Sequence, residues 1–124
     1  MKTFKFGETE KCCFSVGHYN QEDAIAINVV EEETGEYIAT LTVLDRSYDY
    51  EVGLATVCND YVSGNDVTGY KTGTQVLEEL GIIDEIWTIY ELSDDGENSI
   101  SVASCSLNLS VLKEYSREWE YWGR

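Results

Sequence analysis

Apolar and polar residues alternate with period two along most of this chain. The clearest case is Ala24–Val43. There Ile25, Ile27 and Val29 alternate with Ala24, Ala26 and Asn28. Beyond an acidic break, Ile38, Thr40, Thr42 and the following Leu44 alternate with Tyr37, Ala39, Leu41 and Val43. Successive side chains of a strand point to opposite faces of a sheet, so this period predicts two strands. The break is Glu31-Glu32-Glu33-Thr34-Gly35-Glu36, and Gly35 can supply the positive φ of a hairpin turn.

The same reading extends in both directions. Thr3–Phe6 and Lys11–Val16 predict strands around the polar turn Gly7–Glu10, so the first part of the chain is an antiparallel meander. Gly17–Asp23 reads as a loop, and Asp45–Glu51 as an irregular, acidic and aromatic edge. Leu54–Cys58 is a further short strand. Asn59–Gly73 holds three glycines with little apolar periodicity and reads as the longest irregular segment. Asp84–Leu92 and Ser99–Leu107 form a second hairpin pair around the Asp-Gly step of Asp94–Asn98.

Two helices complete the pattern. Val76–Leu80 is expected as a short helix with Thr74 as N-cap and Gly81 just past its end. Asn108 is placed to cap a final helix from Leu109 to about Tyr121, with Leu109, Leu112, Trp119 and Tyr115 on its buried stripe. Strands, a helix, a hairpin and a helix predict an α+β fold: an antiparallel sheet of about five to seven strands with two short helices packed on it. Residues 1–124 are expected to form a single domain.

Composition supports a packed core, with 43% hydrophobic residues, three Trp and nine Tyr. There is no run of about 18 apolar residues and no basic, apolar N-terminus, so a cytoplasmic protein is expected. Cys12, Cys13, Cys58 and Cys105 contain no C-x-x-C spacing and are expected as buried thiols. Vicinal Cys12 and Cys13 are expected on opposite sheet faces.

Charge changes the picture most. Twenty-four acidic residues against eight basic ones give a net charge of −16. A small domain stays soluble at a magnitude of about 2–8, so solubility alone does not account for it. Such a field repels nucleic acid and anionic membranes and attracts basic surfaces.

Catalytic signatures are missing. His18 is the only histidine, and it forms no recognised ligand spacing with Cys12 and Cys13. Thr68–Gly73, T-G-Y-K-T-G, lacks P-loop spacing, and Asp94–Asn98, which resembles part of a calcium loop, lacks the terminal bidentate Glu at EF-hand spacing. No enzyme activity, cofactor or metal is therefore expected.

What remains is a set of carboxylates with aromatics between them. The expected partner-binding acids are Glu31, Glu32, Glu33 and Glu36 in the first hairpin, Asp45, Asp49 and Glu51 in the next loop, and Asp94, Asp95 and Glu97 in the second hairpin. Tyr48 and Tyr50 are the expected aromatic anchors. Alternate residues of an extended segment stand about 6.6–6.8 Å apart. Carboxylates so spaced can imitate a row of phosphates to a Lys/Arg-lined channel.

Four stretches carry a resemblance: Phe14–Asn20 (FSVGHYN), Ala24–Ile27 (AIAI), Gly35–Val43 (GEYIATLTV) and Val76–Ile82 (VLEELGI). Between Cys12 and Tyr115 the chain resembles a small domain family of unknown function from integrative and conjugative elements of gut Firmicutes. The resemblance implies a mobile-element origin and no known enzyme activity. Together with the charge it leads to an expected counter-defence role: a monomeric anti-CRISPR inhibitor whose acidic loops mimic DNA and occupy the basic groove of a Cas9-type nuclease. The alternative is a conjugative-element accessory protein that binds a basic protein partner without inhibiting a nuclease.

Overall fold

A computed structural model describes residues 1–19, 23–60, 71–93 and 99–121. Among these the fold is α+β, with eight strands and two short helices. The strands are β1 (Phe4–Phe6), β2 (Thr9–His18), β3 (Ile25–Glu31), β4 (Tyr37–Thr40), β5 (Leu54–Cys58), β6 (Ile83–Ser93), β7 (Ser99–Leu107) and β8 (Ser116–Trp119). The helices are α1 (Gly73–Glu79) and α2 (Leu109–Glu114).

The first sheet runs β1-β2-β3-β4 in antiparallel order, as the meander predicts. Register in its centre pairs Phe14 with Val29 and Val16 with Ile27. The second sheet is β5-β7-β6, also antiparallel. The two are joined beyond β4. Leu41 N donates to Ile27 O, Cys58 N to Leu41 O, and Val43 N to Thr56 O, so residues 41–43 bond to β3 on one side and β5 on the other. Thr42 fastens this seam, its Oγ1 accepting from Ile27 N at 3.1 Å.

Period two decides what is buried. Cys12, Phe14 and Val16 of β2 and Ile25, Ile27 and Val29 of β3 enter one core with Leu41, Val57, Leu77, Cys105 and Leu112. Cys13 and Val30 are buried as well but stand outside that core cluster, consistent with opposite sheet faces for the vicinal cysteines. The Arg117 guanidinium lies against Gly35, whose φ is +77°, at the β3–β4 turn. The turn glycine inferred from sequence is therefore both a positive-φ residue and a seat for a side chain.

Two expectations are corrected. The first concerns the start of α1. Its N-cap is Thr72, not Thr74: Thr72 Oγ1 accepts from Gln75 N, and the Gln75 side chain accepts from Thr72 N. That is a capping box of T-x-x-Q form. Thr74 lies inside the first turn, buried, donating to Asn59 Oδ1 at 2.6 Å. Gly81 follows the helix end with φ +77°, as expected.

The second correction concerns the C-terminal helix, which stops at Glu114 rather than reaching Tyr121. Residues 116–119 instead form β8, parallel to β2 at Phe14–Val16. The edge of β2 beyond β1 carries backbone groups that need partners. Phe14 N donates to Tyr115 O, and Glu120 N to Val16 O. Trp119 and Tyr121, two apart, follow strand spacing better than helical spacing. Trp119 packs partly buried against the core, and Tyr121 is buried with its Oη donating to Asp23 O.

Candidate functional site

The β3–β4 turn is built by short local bonds. Glu31 N donates to Glu36 O, Gly35 N to Glu31 O, and Thr34 Oγ1 to Glu31 Oε1. Glu32 N reaches back to Lys11 O at 3.0 Å, which lays the turn beside the start of β2. The result is an open groove of about 410 Å³ lined by Thr9, Glu10, Lys11, Glu31, Glu32 and Glu33. Four carboxylates and one ammonium share it. Glu36 stands across the turn, exposed, and does not line the groove. Glu10 is a member the sequence pattern does not single out. Only the register, with Cys12 opposite Glu31, brings the first turn of the meander alongside the second.

Little of this charge is neutralised internally. Among the described residues the ion pairs are Lys2–Glu114, Lys5–Glu10 and Lys71–Glu79, all exposed. Exposed pairs of this kind contribute about 0–1 kcal/mol each.

The loop after β4 behaves differently. Asp45 is only 6% exposed and Tyr50 8%. Asp45 accepts from Ser47 N at 3.0 Å, Ser47 Oγ at 2.7 Å and Tyr90 Oη at 2.6 Å. Asp45 N donates to Tyr50 Oη, which shares a 2.7 Å hydrogen bond with Thr56 Oγ1. Tyr48 stacks edge-on against Tyr50 at 4.7 Å between centroids and accepts from Ser104 Oγ. Burial pushes the Asp45 carboxyl upward, but the hydrogen bonds from Tyr90 and Ser47 outweigh it and hold its pKa below the ordinary carboxylate value. Burial, reinforced by the Asp45 hydrogen bond, pushes Tyr90 up to about 12.

Asp45 and Tyr50 are therefore corrected from partner-facing residues to internal ones. A buried carboxylate must be hydrogen-bonded to persist, and these bonds point into the protein. Tyr48 is half-buried and fastened the same way. Asp49 and Glu51 remain exposed. Asp94, Asp95 and Glu97 lie outside the described residues, although Ser93 and Ser99, which flank them, are paired.

No described thiol is activated. Burial raises Cys12 to about 11 and Cys105 to about 12. Burial also raises Cys58 and Cys13; Arg117 opposes the shift at Cys13. His18 ends β2 five residues beyond Cys13, about 17 Å away along an extended strand. Among the described residues no three His, Cys, Asp or Glu side chains gather as a metal set.

Comparison of the chain with protein-family models, curated proteins and solved structures found no match. Among the described residues no helix is long and apolar enough to cross a membrane.

Proposed function

We propose that this chain is a non-enzymatic, protein-binding inhibitor that presents carboxylates to a basic surface built to hold nucleic acid. The concrete reading is a mobile-element counter-defence protein that occupies the DNA-binding groove of a Cas9-type nuclease. One observation carries it: a net charge of −16, with Glu10, Glu31, Glu32 and Glu33 drawn around one open groove and, among the described residues, three acids in ion pairs. A surface left so uncompensated repels its own kind and steers toward cations, raising association rates by about 10–10³-fold at low salt.

A PAM-reading groove offers the complement, since its arginines recognise guanine edges beside a phosphate backbone. Glu33 and Glu36 are exposed at the tip of the turn, and Asp49 and Glu51 in the next loop. The groove supplies charge on a folded support, because its backbone is held by hydrogen bonds of the hairpin.

The test is direct binding to guide-loaded nuclease, measured by surface plasmon resonance at two ionic strengths. The association rate is expected to fall by roughly tenfold or more on raising salt, because the Debye length shrinks from about 8 Å at physiological strength to about 3 Å at 1 M. Salt-independent binding contradicts the electrostatic reading. No binding to the nuclease, with capture of a basic conjugation protein, favours the accessory role instead.

A further inference from the structure

We infer that β6 is a docking edge for an extended, basic segment of a partner protein, which adds to the second sheet as a strand. This rests on the reading of the chain as a binder of basic proteins and names a surface for it.

β6 is eleven residues long and pairs only with β7 among the described strands. Among the described residues, its outer edge from Asp84 to Glu91 therefore carries a row of backbone donors and acceptors, the template that β-strand addition uses. The strand is held rigidly from behind. Ile83 and Ile86 pack on the core, and Tyr90 is tied to Asp45. A partner would meet a preformed surface.

The side chains specify the occupant. Trp87 is 52% exposed and Ile89 56%, the most exposed large apolar side chains of any described strand. Three exposed acids share the strand, Asp84, Glu85 and Glu91, and no Lys or Arg does. Register separates them onto two faces. Ile89 and Glu91 stand opposite Ala103 and Ser101, on one face. Glu85 stands opposite Ser106, on the other, and Trp87 is its neighbour, with Nε1 3.4 Å from Glu85 Oε1. Trp87 falls in a register shift between Ile86↔Cys105 and Thr88↔Ser104. Each face of the edge thus offers one apolar side chain beside one carboxylate.

A second copy of the chain does not fit this edge. Self-pairing along β6 would bring six exposed acids and no Lys or Arg together, between two chains of charge −16. An extended segment with Lys or Arg near its ends and apolar residues between them matches every one of these positions. Cross-strand pairs of opposite charge and apolar pairs then form together.

The experiment uses the whole chain and a fluorescent peptide, Lys-Thr-Val-Val-Thr-Lys, which sets one Lys and one Val on each face, with fluorescence polarisation for affinity and amide hydrogen exchange for location. The expected result is saturable binding that slows exchange along β6, with a Glu-for-Lys peptide failing to bind. A Glu85→Lys/Glu91→Lys variant and, separately, a Trp87→Ser/Ile89→Ser variant are expected to lose on the order of tenfold in affinity. These four side chains are exposed, and circular dichroism checks that both variants fold. Unchanged affinity in both variants, or protection confined to other elements, overturns the inference. The two readings separate cleanly. Salt-sensitive nuclease inhibition that survives both double variants overturns the β6 inference and leaves the inhibitor reading standing. Protected β6 with peptide bound, and no nuclease inhibited, supports the β6 inference and removes the inhibitor reading.

Discussion

Tyr90 Oη stands 2.6 Å from Asp45 Oδ2 and donates to it, tying an edge strand to a loop 45 residues earlier in the chain. The bond is charge-assisted, short, and made where Asp45 is almost wholly out of water. It converts an acidic loop into part of the scaffold and braces β6.

Tyr90→Phe keeps the ring and removes the donor. The expected cost is about 1–3 kcal/mol, read from urea denaturation near neutral pH. The pH dependence has a definite sign. Asp45 has a lowered folded-state pKa, so its contribution is present above the ordinary value of 3.8 and is lost as pH falls through the lowered value. Tyr90 is raised from 10.0 to about 12, so its contribution is present below pH 10.0 and is lost as pH rises toward about 12. Tyr90→Phe is expected to flatten the alkaline limb and shrink the acid one. Wild-type limbs in the variant contradict this account of the pair.

Gly73 and Gly35 are expected to resist substitution for different reasons. A Cβ at Gly73 would sit 2.7 Å from Cys58 O and 3.0 Å from Leu41 O, both backbone atoms that cannot turn aside. Gly73→Ala therefore pushes α1 off the junction of β4 and β5, at about 1–3 kcal/mol or more. At Gly35 the obstacle is the flexible end of Arg117, and the cost comes from φ +77°, about 1–2 kcal/mol. Arg117→Ala is expected to leave most of the Gly35→Ala penalty in place. Full rescue by Arg117→Ala would mean that crowding, not φ, sets the cost.

Thiol chemistry offers a test of burial. With pKa raised to about 11 for Cys12 and about 12 for Cys105, both are expected to be almost inert to a thiol-disulfide reagent in the native state. Cys58, half-buried with Sγ 3.5 Å from Asp60 O, is expected to react first. Single-cysteine variants monitored by absorbance give each rate. Rapid labelling of Cys105 in folded protein contradicts the packing described.

Charge reversal separates the acidic groups. Glu31→Lys/Glu32→Lys/Glu33→Lys reverses three carboxylates of the groove, and weaker, less salt-sensitive binding to a basic partner is expected. Asp49→Lys/Glu51→Lys tests the exposed part of the following loop. Asp45→Asn is expected to act on stability, not on association rate. Unchanged binding after each reversal in turn removes the electrostatic mechanism.

The strands were legible because period two survives in the residues themselves. Ile25, Ile27 and Val29 enter the core as the pattern requires, and Ser99–Leu107 has the expected bounds. β8 was not legible in the same way. Leu109, Leu112 and Trp119 allow a helical stripe, and only the unpaired edge of β2 at Phe14–Val16, a long-range feature, selects a strand after Glu114. The Thr72–Gln75 capping box was readable from its spacing, but Thr74 beside it is an equally good capping residue type.

The candidate site was legible in composition and less so in geometry. Three successive glutamates from Glu31, with Glu36 just beyond, announce an acidic turn, yet Glu10 joins them only through strand register. Asp45 and Tyr50 look like surface residues because acids and tyrosines in loops usually are. The burial of Asp45 depends on Tyr90, and the same loop is fastened again where Tyr48 accepts from Ser104, both beyond any local window. Trp87 and Ile89 obey the pattern of a half-buried strand, and their exposure follows only from β6 being an edge.

The measurement that tests the central claim most directly is plasmid cleavage by a Cas9-type nuclease, with this protein added before or after guide loading and before or after target DNA, at low and high salt. The account predicts inhibition when the protein precedes DNA, weak inhibition when DNA is already bound, and relief as salt rises. Full cleavage at low salt with the protein present from the start, across several such nucleases, contradicts it.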